Sequence, residues 1–323
     1  MNSSLFAIGE VLIDFIPLQK GEMLKNVVEF ERAPGGAPAN VAAAVARLGG
    51  KSSMISKLGL DAFGDFLIET LNQTGVETDK ILRTDVANTA LAFVSLRNDG
   101  ERDFSFYRNP SADLLMKEEE IAGDWFSSGD ILHFCSVDLV ESPMKLAHIK
   151  AIQEAKQNGA LISFDPNVRL PLWKNPDHCR ETIVSFIPKA HLLKISDEEL
   201  SFITNMDHEE EAIRSLFIGD VRAVIYTKGA MGAELYLKDE QFISKGYRVT
   251  VQDTTGAGDA FVGGFLYQLL ANNVTPLNLE DICRRNHDEF LQFANAVGAL
   301  TTTGKGAISS LPNKEQVLEL MGI

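Results

Sequence analysis

The chain has 323 residues, of which 45% are hydrophobic and 23% charged, and these fractions are typical of one or two globular domains rather than of disordered or fibrous proteins. Its 45 acidic and 30 basic residues give a net charge of −15, and no basic stretch stands out, so nucleic acid is not expected as the main partner. Cys135, Cys179 and Cys283 lack the spacing of a zinc site or a disulfide framework, which favours a reducing, cytoplasmic environment.

The N-terminal segment predicts a first strand in a soluble, unprocessed protein. It lacks a basic region, and no run in the chain reaches the ~18 apolar residues of a membrane span. Residues 5–16 (LFAIGEVLIDFI) form an apolar run that Gly9, Glu10 and Asp14 interrupt, which predicts a strand that ends in polar groups. Polar groups at the end of a strand are typical of a binding site.

Two helices are predicted next. Gly35 and Gly36 precede the alanine-rich segment 38–48, which has a proline near its first position, and this pattern predicts a glycine turn that leads into a helix. The segment SSMISKL predicts a buried strand. A second helix is expected to follow it, with Asp61 as its N-cap and Gly75 directly after its last turn.

A β-hairpin interrupts this order of strands and helices. Residues 90–97 and 102–107 alternate in polarity on either side of the turn sequence Asn98–Glu101, which predicts two antiparallel strands. Together with an earlier stretch, the hairpin is expected to form a small β lid, made by roughly residues 15–33 and 88–110.

From residue 130 onward, short apolar segments again alternate with helical segments, among them 142–158, 177–187 and 260–271. Such alternation predicts a largely parallel sheet that helices cover on both faces. No linker rich in proline or serine divides the chain. We therefore expect one α/β domain over residues 1–323, from which the β lid projects.

The segment Asp253–Asp259 (DTTGAGD) is a glycine-rich turn before an apolar helix. Its small residues allow the backbone N–H groups of 256–258 to converge, and the helix N-terminus adds partial positive charge. The turn is thus suited to stabilise negative charge on a phosphoryl group during transfer. Asp259 would repel that group unless it accepts the proton of an attacking hydroxyl, as a general base. Simple stabilisation of the helix N-terminus by Asp259 is the structural alternative.

This segment resembles the C-terminal motif of the phosphofructokinase-B (ribokinase-like) sugar kinases, and Gly35–Asn40 resembles their N-terminal glycine pair. The motifs lie more than 200 residues apart in the family's order, and the resemblance extends along essentially the whole chain. It implies a ribokinase-like α/β fold, with a mostly parallel sheet, helices on both faces and a small β-sheet lid. It also implies a kinase that uses ATP, Mg²⁺ and K⁺ and forms a homodimer through its lid.

The resemblance implies a role for each residue that matches a family motif. Catalysis would use Asp259 as the base and the amides of Gly256, Ala257 and Gly258 as the anion hole. The residues implied in sugar binding are Asp14, Gly35, Gly36, Asn40, Phe106, Arg108, Arg169 and Asp259. Those implied in ATP binding are Lys194, Ser196, Thr227, Gly229, Gly232, Gly256, Gly258 and Asn295.

Metal-binding residues are implied in the same way. Glu199 would organise Mg²⁺ through water, since this ion keeps several waters in protein sites. Asp253 and Thr255 would contact the monovalent cation. Ser196 stands where the family commonly has asparagine, and a plain N-cap followed by acidic residues also explains the sequence SDEE at 196–199.

The identity of the sugar depends on the hairpin and on the segment Asp165–Trp173, which resemble both fructokinases and 2-keto-3-deoxygluconate kinases. In the latter, two arginines receive the substrate carboxylate, and Arg108 and Arg169 are candidates for that role. By a gap-free match, however, Ala92 and Phe106 stand where those kinases usually carry tyrosines. The stretches TALAFVSL, FYRNPSADLLM and DPNVRLPLW resemble bacterial and plant fructokinases instead.

We therefore expect phosphorylation of the 6-hydroxyl of D-fructose. A 2-keto-3-deoxygluconate kinase or another ribokinase-like sugar kinase is the alternative within the enzyme class, and a non-catalytic sugar-binding regulator is the alternative outside it. A Rossmann dehydrogenase is disfavoured, because GGAPAN does not match the GxGxxG pattern of dinucleotide-binding turns.

Overall fold

The computed structural model describes residues 3–19, 21–96 and 102–323. The strands in this part of the chain are β1 (Ser4–Ile8), β2 (Leu12–Pro17), β3 (Phe30–Gly35), β4 (Lys51–Gly59), β5 (Ile81–Thr84), β6 (Ala90–Leu96), β7 (Arg102–Tyr107), β8 (Ile131–Cys135), β9 (Leu161–Asp165), β10 (Leu192–Ser196), β11 (Ala223–Thr227), β12 (Gly232–Leu237) and β13 (Glu240–Lys245). The helices are α1 (Ala37–Arg47), α2 (Ala62–Thr74), α3 (Pro143–Gln157), α4 (Pro176–Phe186), α5 (Asp197–Thr204), α6 (Glu209–Ser215), α7 (Ala257–Ala271), α8 (Leu279–Thr301) and α9 (Lys314–Met321).

The main sheet has nine strands in the order β13-β12-β11-β10-β9-β8-β1-β4-β5. Seven neighbouring strands of this sheet run parallel, namely β11, β10, β9, β8, β1, β4 and β5. At one edge β12 and β13 continue the sheet antiparallel. The predicted, mostly parallel α/β fold is therefore confirmed. The direction of the strand order changes between β1 and β8, and ligands of such sheets bind at this point, beyond the carboxyl ends of the strands.

Both faces of the main sheet are buried, as the alternation of strands and helices requires. Leu5 and Ala7 of β1 belong to the core on one face, where α1, α7 and α8 pack. Phe6 and Ile8 point the other way, into a core formed with α3, α4 and α5. Successive residues of a strand face opposite sides, so a strand covered on both faces is apolar at consecutive positions, as Leu5–Ile8 of β1 are.

The first apolar run, predicted as one strand, is in fact two strands in different sheets. β1 ends at Ile8 and β2 begins at Leu12. Gly9 separates them with φ at +144°, a conformation that side chains other than hydrogen seldom allow. Asp14 consequently lies within β2 rather than at the end of the first strand.

The second sheet is small and has the strand order β3-β2-β6-β7. β6 and β7 pair antiparallel, with Leu96 opposite Arg102, so the two predicted hairpin strands are confirmed, while the turn between them lies outside the described residues. β2 and β3 form a second antiparallel pair, and β2 and β6 join the two pairs in parallel. This sheet is the predicted lid. The pair formed by β2 and β3 extends from Leu12 to Gly35 and is therefore longer than the expected stretch of residues 15–33.

Several helix boundaries agree with the sequence pattern. α2 begins after Asp61, whose side chain accepts hydrogen bonds from the amides of Phe63 and Gly64, and it ends before Gly75 in the left-handed conformation. The helices predicted at 142–158 and 177–187 are α3 and α4. None of the helices in the described ranges has the length and apolarity needed to cross a membrane.

Close contact between α1 and α7 brings together the helices that follow the two glycine motifs. A Cβ atom at Gly263 of α7 would lie 2.4 Å from the Cβ of Ala44 and 3.1 Å from the carbonyl oxygen of Val41. Only hydrogen fits there, so the absence of a side chain at residue 263 sets the distance between the two helices.

We expect Gly263→Val to lower the free energy of unfolding by about 1–3 kcal/mol, because overpacking forces the two helices apart. Helix propensity alone would favour valine over glycine, so a loss of stability reports the contact. Equilibrium urea unfolding measures it. Ala271→Val, at an exposed position of the same helix, is the control and should cost only about 0.5 kcal/mol; equal losses in both variants would contradict the argument.

Candidate active site

A cavity of about 1040 Å³ lies between the main sheet and the small sheet. Its lining includes Glu10 and Val137, which follow β1 and β8 on either side of the change in strand direction. The small sheet contributes Asp14, and the first turn of α7 contributes Asp259. The cavity thus occupies the position at which sheets of this kind bind their ligands.

The glycine turn before α7 has the conformation that the sequence predicts. Gly256 caps the helix with φ at +76°, and a Cβ atom at this residue would lie 2.4 Å from the Cβ of Ala307. Gly256 and Gly258 line the cavity. The amide of Ala257 instead donates a hydrogen bond to the carbonyl of Thr254 at 3.3 Å, so this amide of the predicted trio is already engaged.

Two asparagine side chains hold the carboxylate of Asp259. Asn40, in the first turns of α1, donates to Oδ2 at 2.8 Å. Asn167, in the loop after β9, donates to Oδ1 at 3.0 Å. Asn167 has a positive φ of 44°, which asparagine tolerates better than most residues. Both carboxylate oxygens are therefore oriented by amides from distant parts of the chain.

The surroundings of Asp259 favour proton uptake more than those of a surface carboxylate. Burial raises the pKa of Asp259, and the hydrogen bond from Asn40, the charges of Arg169 and Lys194, and the hydrogen bond from Asn167 counteract part of this rise. Desolvation disfavours the ionised form, whereas donors and cations stabilise it. A carboxylate with a raised pKa is a stronger base, which suits proton abstraction.

Lys194 connects Asp259 to a second group of acidic residues. Its ammonium group lies 3.1 Å from the carboxylate of Asp165 and 4.0 Å from that of Glu199, and all three side chains are largely buried. Burial raises the pKa of Asp165 to about 7 although Lys194 opposes the rise. The lysine also lines the cavity beside Gly258, where it provides fixed positive charge.

Glu199 joins this group to the loop that carries Asn167. It accepts hydrogen bonds from the amide of Val168 at 2.7 Å and from the amide and hydroxyl of Ser196 at 3.0 and 2.7 Å. Burial would raise the pKa of Glu199, but Lys194 and these donors hold it below its ordinary value. The alternative role of Glu199 in a capping box is therefore present in the structure.

The acidic side chains near the cavity are also relevant to Mg²⁺ binding. Within the described ranges, no group of three or more His, Cys, Asp or Glu side chains could enclose a metal ion. Mg²⁺ commonly uses one or two carboxylates together with water and substrate phosphates. Glu199, which lines the cavity in its ionised form, is compatible with that arrangement.

The loop that begins at Asp253 is tied to the segment after α8. One carboxylate oxygen of Asp253 accepts from the amide and hydroxyl of Thr255, and the other accepts from the amide of Gly306 at 2.9 Å. The amides of Gln252 and Asp253 donate to the carbonyl of Thr302. Carboxylate, hydroxyl and carbonyl oxygens are suitable donors for a hard cation, so these residues are compatible with the predicted K⁺ loop.

The structure places most of the predicted sugar residues around the cavity. Its lining includes Asp14, Gly36, Asn40, Phe106 and Arg169. Gly35 lies directly behind Asp14, because a Cβ atom there would be 2.2 Å from the Asp14 carboxylate. Arg108 differs: its guanidinium pairs with Asp113 and Asp138, and it is absent from the described residues that line this cavity.

The predicted nucleotide residues divide into two groups. Lys194, Ser196, Gly256 and Gly258 line the cavity. The remaining residues are outside its lining, at and beyond the end of β11: Thr227, Gly229, Gly232 and Asn295. Thr227 is paired with Ser196 in the sheet. The side-chain Nδ2 of Asn295 donates to the hydroxyl of Ser244 at 3.2 Å, which connects α8 to the end of β13.

Three residues of the site, Glu10, Asp165 and Asn167, are not among those that the sequence predicts. Asp165 and Asn167 lie at or after the carboxyl end of β9, a position that could have identified them from the sequence. Arg169 is the residue of that segment that is predicted in the site. Glu10 was noticed as a polar interruption of the first apolar run. Its contact with the amide of Ala37, 27 residues away, has no counterpart in the local pattern.

The chain is similar in sequence to known carbohydrate kinases. The model of the pfkB family of carbohydrate kinases matches residues 2–314. The chain is 46% identical to "Probable fructokinase-6, chloroplastic" of Arabidopsis thaliana over 315 residues, which cover 97% of this chain and 81% of the relative. It is 43% identical to fructokinase-1 of Oryza sativa subsp. japonica over 314 residues, covering 97% and 96% of the two chains.

Solved structures show the same similarity. The fructokinase of Xylella fastidiosa with bound ATP has a TM-score of 0.91 and 38% identity, covering 100% of this chain and 99% of that one. A double mutant of the fructokinase of Vibrio cholerae O395, with fructose, ADP and potassium ion, has a TM-score of 0.86, 35% identity and 98% coverage of both chains. An E. coli protein assigned as a ribokinase II, with ATP and Mg²⁺, has a TM-score of 0.84, 28% identity and 99% coverage of both.

We expect Lys194→Met to destabilise the protein by about 3–5 kcal/mol near neutral pH, because removal of one partner leaves buried carboxylates unpaired. The loss should be greater at pH 8 than at pH 6. Burial raises the folded-state pKa of Asp165 to about 7, and Lys194 opposes this rise, so removal of Lys194 raises the pKa further. Ionisation of Asp165 above pH 7 therefore costs the folded variant more than the wild type, whereas at pH 6 the carboxyl group is mostly neutral in both.

Equilibrium urea unfolding at both pH values measures this loss. The double variant Lys194→Met/Asp165→Asn is the matched control, and it should regain part of the stability because the paired charges are removed together. A single variant as stable as the wild type at pH 8 would contradict the assigned role of Lys194.

Proposed function

We propose that this chain, which belongs to the pfkB family of carbohydrate kinases and is of the fructokinase type, transfers the γ-phosphoryl group of ATP to the 6-hydroxyl of D-fructose. Asp259 acts as the general base. The observation that carries the proposal is the Asp259 carboxylate, which is buried at the start of α7, oriented by Asn40 and Asn167, and in contact with the cavity.

Proton abstraction at Asp259 makes the sugar hydroxyl a better nucleophile, and general base catalysis of this kind contributes about 10²–10⁴-fold. The side-chain amides of Asn40 and Asn167 hold the carboxylate of Asp259 in one orientation. The transferred phosphoryl group then meets Gly256, Gly258 and the N-terminus of α7, which stabilise its negative charge. Lys194 adds a positive charge on the same side of the cavity.

ATP occupies the side of the site that extends from Ser196 toward Thr227 and the loop Gly229–Gly232, with Asn295 near the base. Glu199 would organise Mg²⁺ through water, and Asp253 and Thr255 would hold K⁺. When bound, these cations neutralise charge on the phosphates and on the loop before α7. Relatives solved with ATP, Mg²⁺ and potassium ion support these ligands as the ones that the site binds.

The sugar occupies the side formed by Asp14, Gly36 and Arg169. Fructose is favoured over 2-keto-3-deoxygluconate because the second arginine, Arg108, is already paired with two carboxylates and is no longer proposed as a sugar ligand. Ala92 and Phe106, on the inner side of the small sheet, offer no hydroxyl group to a substrate carboxylate. Fructose carries no carboxylate and needs neither group.

We also propose a homodimer formed through the small sheet. The outer side of this sheet carries an aromatic cluster, defined as Phe15, Phe30, Phe93 and Tyr107. Phe15 and Phe93 stack with centroids 4.7 Å apart, and Tyr107 meets Phe93 at 5.2 Å. Tyr107 remains 64% exposed. A partner subunit would cover these rings and the sheet edge, and closure of the lid would exclude water from the phosphoryl group.

We propose a cytoplasmic location on the basis of the cysteines. Cys135, Cys179 and Cys283 are all buried and unpaired in disulfides, which suits a reducing compartment. The relative from Arabidopsis that is described as chloroplastic makes a reducing organelle the alternative.

An ATP-consumption assay with a panel of fructose, 2-keto-3-deoxygluconate, ribose and nucleosides tests the proposed function. We expect the highest kcat/KM with fructose, and phosphate on its 6-hydroxyl in the product, read by NMR. Strong preference for 2-keto-3-deoxygluconate would overturn the substrate assignment. No consumption with any of these would favour the sugar-binding regulator.

Asp259→Asn, as the matched inactive control, should abolish turnover and leave ATP binding near normal; wild-type turnover in this variant would refute the base assignment.

Size measurement by light scattering tests the dimer. We expect the wild type to be a dimer at working concentration and Tyr107→Asp to be a monomer, because a charge in the aromatic cluster would be buried without a partner. Leu277→Asp, at an apolar position that is 99% exposed before α8, is the control and should remain dimeric. A wild-type protein that is only monomeric would exclude the proposed interface.

A further inference from the structure

Glu10 is a buried carboxylic acid that the proposed mechanism does not use. It lies where the chain leaves the main sheet for the small sheet, only 2% of its surface is exposed, and it lines the cavity. Its Oε1 accepts a hydrogen bond from the amide of Ala37 at 2.9 Å. Its Oε2 is buried and has no hydrogen-bond partner among the described residues. Such a group is costly to bury, so its function needs an explanation.

The main chain of Glu10 contacts the same turn as its side chain. Gly36 has φ at +110°, and a Cβ atom there would lie 2.4 Å from the carbonyl oxygen of Glu10. The backbone carbonyl and the side chain of Glu10 therefore both contact the turn formed by Gly36 and Ala37. The carbonyl of Gly36 in turn accepts from the amide of Asn40 at 2.9 Å, and the Asn40 side chain donates to Asp259.

A charged cluster near Glu10 interacts with it electrostatically. Arg108, at the end of β7, pairs with Asp113 and with Asp138, which follows β8. Burial and the charge of Asp138 raise the pKa of Glu10 to about 8, and Arg108 opposes this rise. The neutral acid is therefore favoured near pH 7. The cluster joins the small sheet to the main sheet beside the turn that Glu10 contacts.

We propose that Glu10 is a positioning residue that holds the turn at Gly36 and Ala37, and through it the Asn40 amide that orients Asp259. The inference rests on the proposed function, because Glu10 acts through the general base. Its contacts form a continuous path of three links, from Glu10 to the turn, from the turn to Asn40, and from Asn40 to the reacting carboxylate. Displacement of a catalytic group by about 1 Å can cost about 10²-fold in rate, so a path of this kind affects turnover.

Two substitutions show whether Glu10 acts through its acceptor oxygen alone or needs the whole carboxyl group. Glu10→Ala removes the acceptor of the Ala37 amide, and we expect kcat to fall by about 10- to 100-fold with little change in the KM for ATP. Glu10→Gln keeps a neutral side chain of the same shape, with an acceptor oxygen for Ala37 and an amide nitrogen near Asp138. It should retain most of the wild-type kcat, so the conservative variant restores what alanine loses.

The pH profile supplies a readout that a purely structural role would not change. The hydrogen bond from Asn40 lowers the pKa of Asp259, so its loss raises that pKa. Because the base must be ionised, the acidic limb of the kcat profile should move to higher pH in Glu10→Ala. The other charged groups that face Asp259, namely Arg169, Lys194 and Asp165, are unchanged in this variant. Glu10→Gln should keep the wild-type limb.

Asp130→Ala is the matched control. Asp130 is also buried and accepts hydrogen bonds from the amides of Ser4 and Ser127, each at 2.8 Å, but it lies at the opposite end of β1. Its loss should lower the melting temperature without changing the kcat or the acidic limb of the folded protein. If Glu10→Ala equals Asp130→Ala in both measurements, or retains the wild-type kcat, the positioning role of Glu10 is refuted.

The wild-type assay keeps the two proposals distinguishable. If the wild type phosphorylates another sugar in place of fructose, the substrate assignment fails, and the comparison of the Glu10 variants is made with that sugar. If it phosphorylates none of them, both proposals are overturned. An intact wild-type activity with fructose and an unaffected Glu10→Ala variant would overturn the positioning role alone.

Discussion

The buried carboxylate of Asp259 is the constraint on which the rest of the site depends. A carboxylate removed from water costs several kcal/mol unless donors and cations replace its hydration. Asn40 supplies one donor from the first turns of α1, and Asn167 supplies the other from the loop after β9. Helix and loop must therefore both be placed accurately, and the tight contact of α1 with α7 and the left-handed conformation of Asn167 accomplish this.

The charged groups near the site also explain how a chain of net negative charge can contain a site for anionic ATP. The net charge of −15 is spread over a surface that salt screens within about 8–10 Å. Lys194, Arg169, Arg32 and Lys305 all line the cavity, where screening is weaker and backbone amides add to the positive potential. Net charge therefore describes solubility and long-range attraction, while these few groups determine what the cavity binds.

Local sequence patterns predicted those features whose causes are local. Asp61 and Gly75 delimit α2 because a cap and a left-handed residue act within one turn, and the glycine turn before α7 has a similarly local origin. The run at residues 5–16 was wrongly assigned to one strand, since hydrophobic pattern does not show which sheet a strand joins. Likewise, the ion pair of Arg108 with Asp138 could not be predicted from the hairpin sequence, because the fold brings Asp138 from a distant segment.

The contacts of Glu10 and Asn167 could not be predicted from the sequence for the same reason. Their partners are Ala37 and Asp259, which are distant in sequence, so no window of neighbouring residues contains the interaction. The position of Asn167 after a buried parallel strand was a usable signal, because such strand ends meet at the ligand-binding edge of the sheet. No comparable rule marks an acidic residue in the connection between two sheets.

The small sheet shows why substrate recognition and the proposed subunit contact are connected. Residues along a strand alternate between faces, so Leu12, Asp14 and Ile16 of β2 line the cavity while Phe15 joins the aromatic cluster outside. The parallel pairing of Asp14 with Ala92 sets this arrangement for β6 as well. A shift of one residue in that pairing would exchange the two faces of β2, burying its aromatic ring in the sugar site and exposing Asp14. The register of the β2–β6 pair thus determines both the proposed sugar pocket and the surface available to the proposed second subunit, so a change of register would alter both.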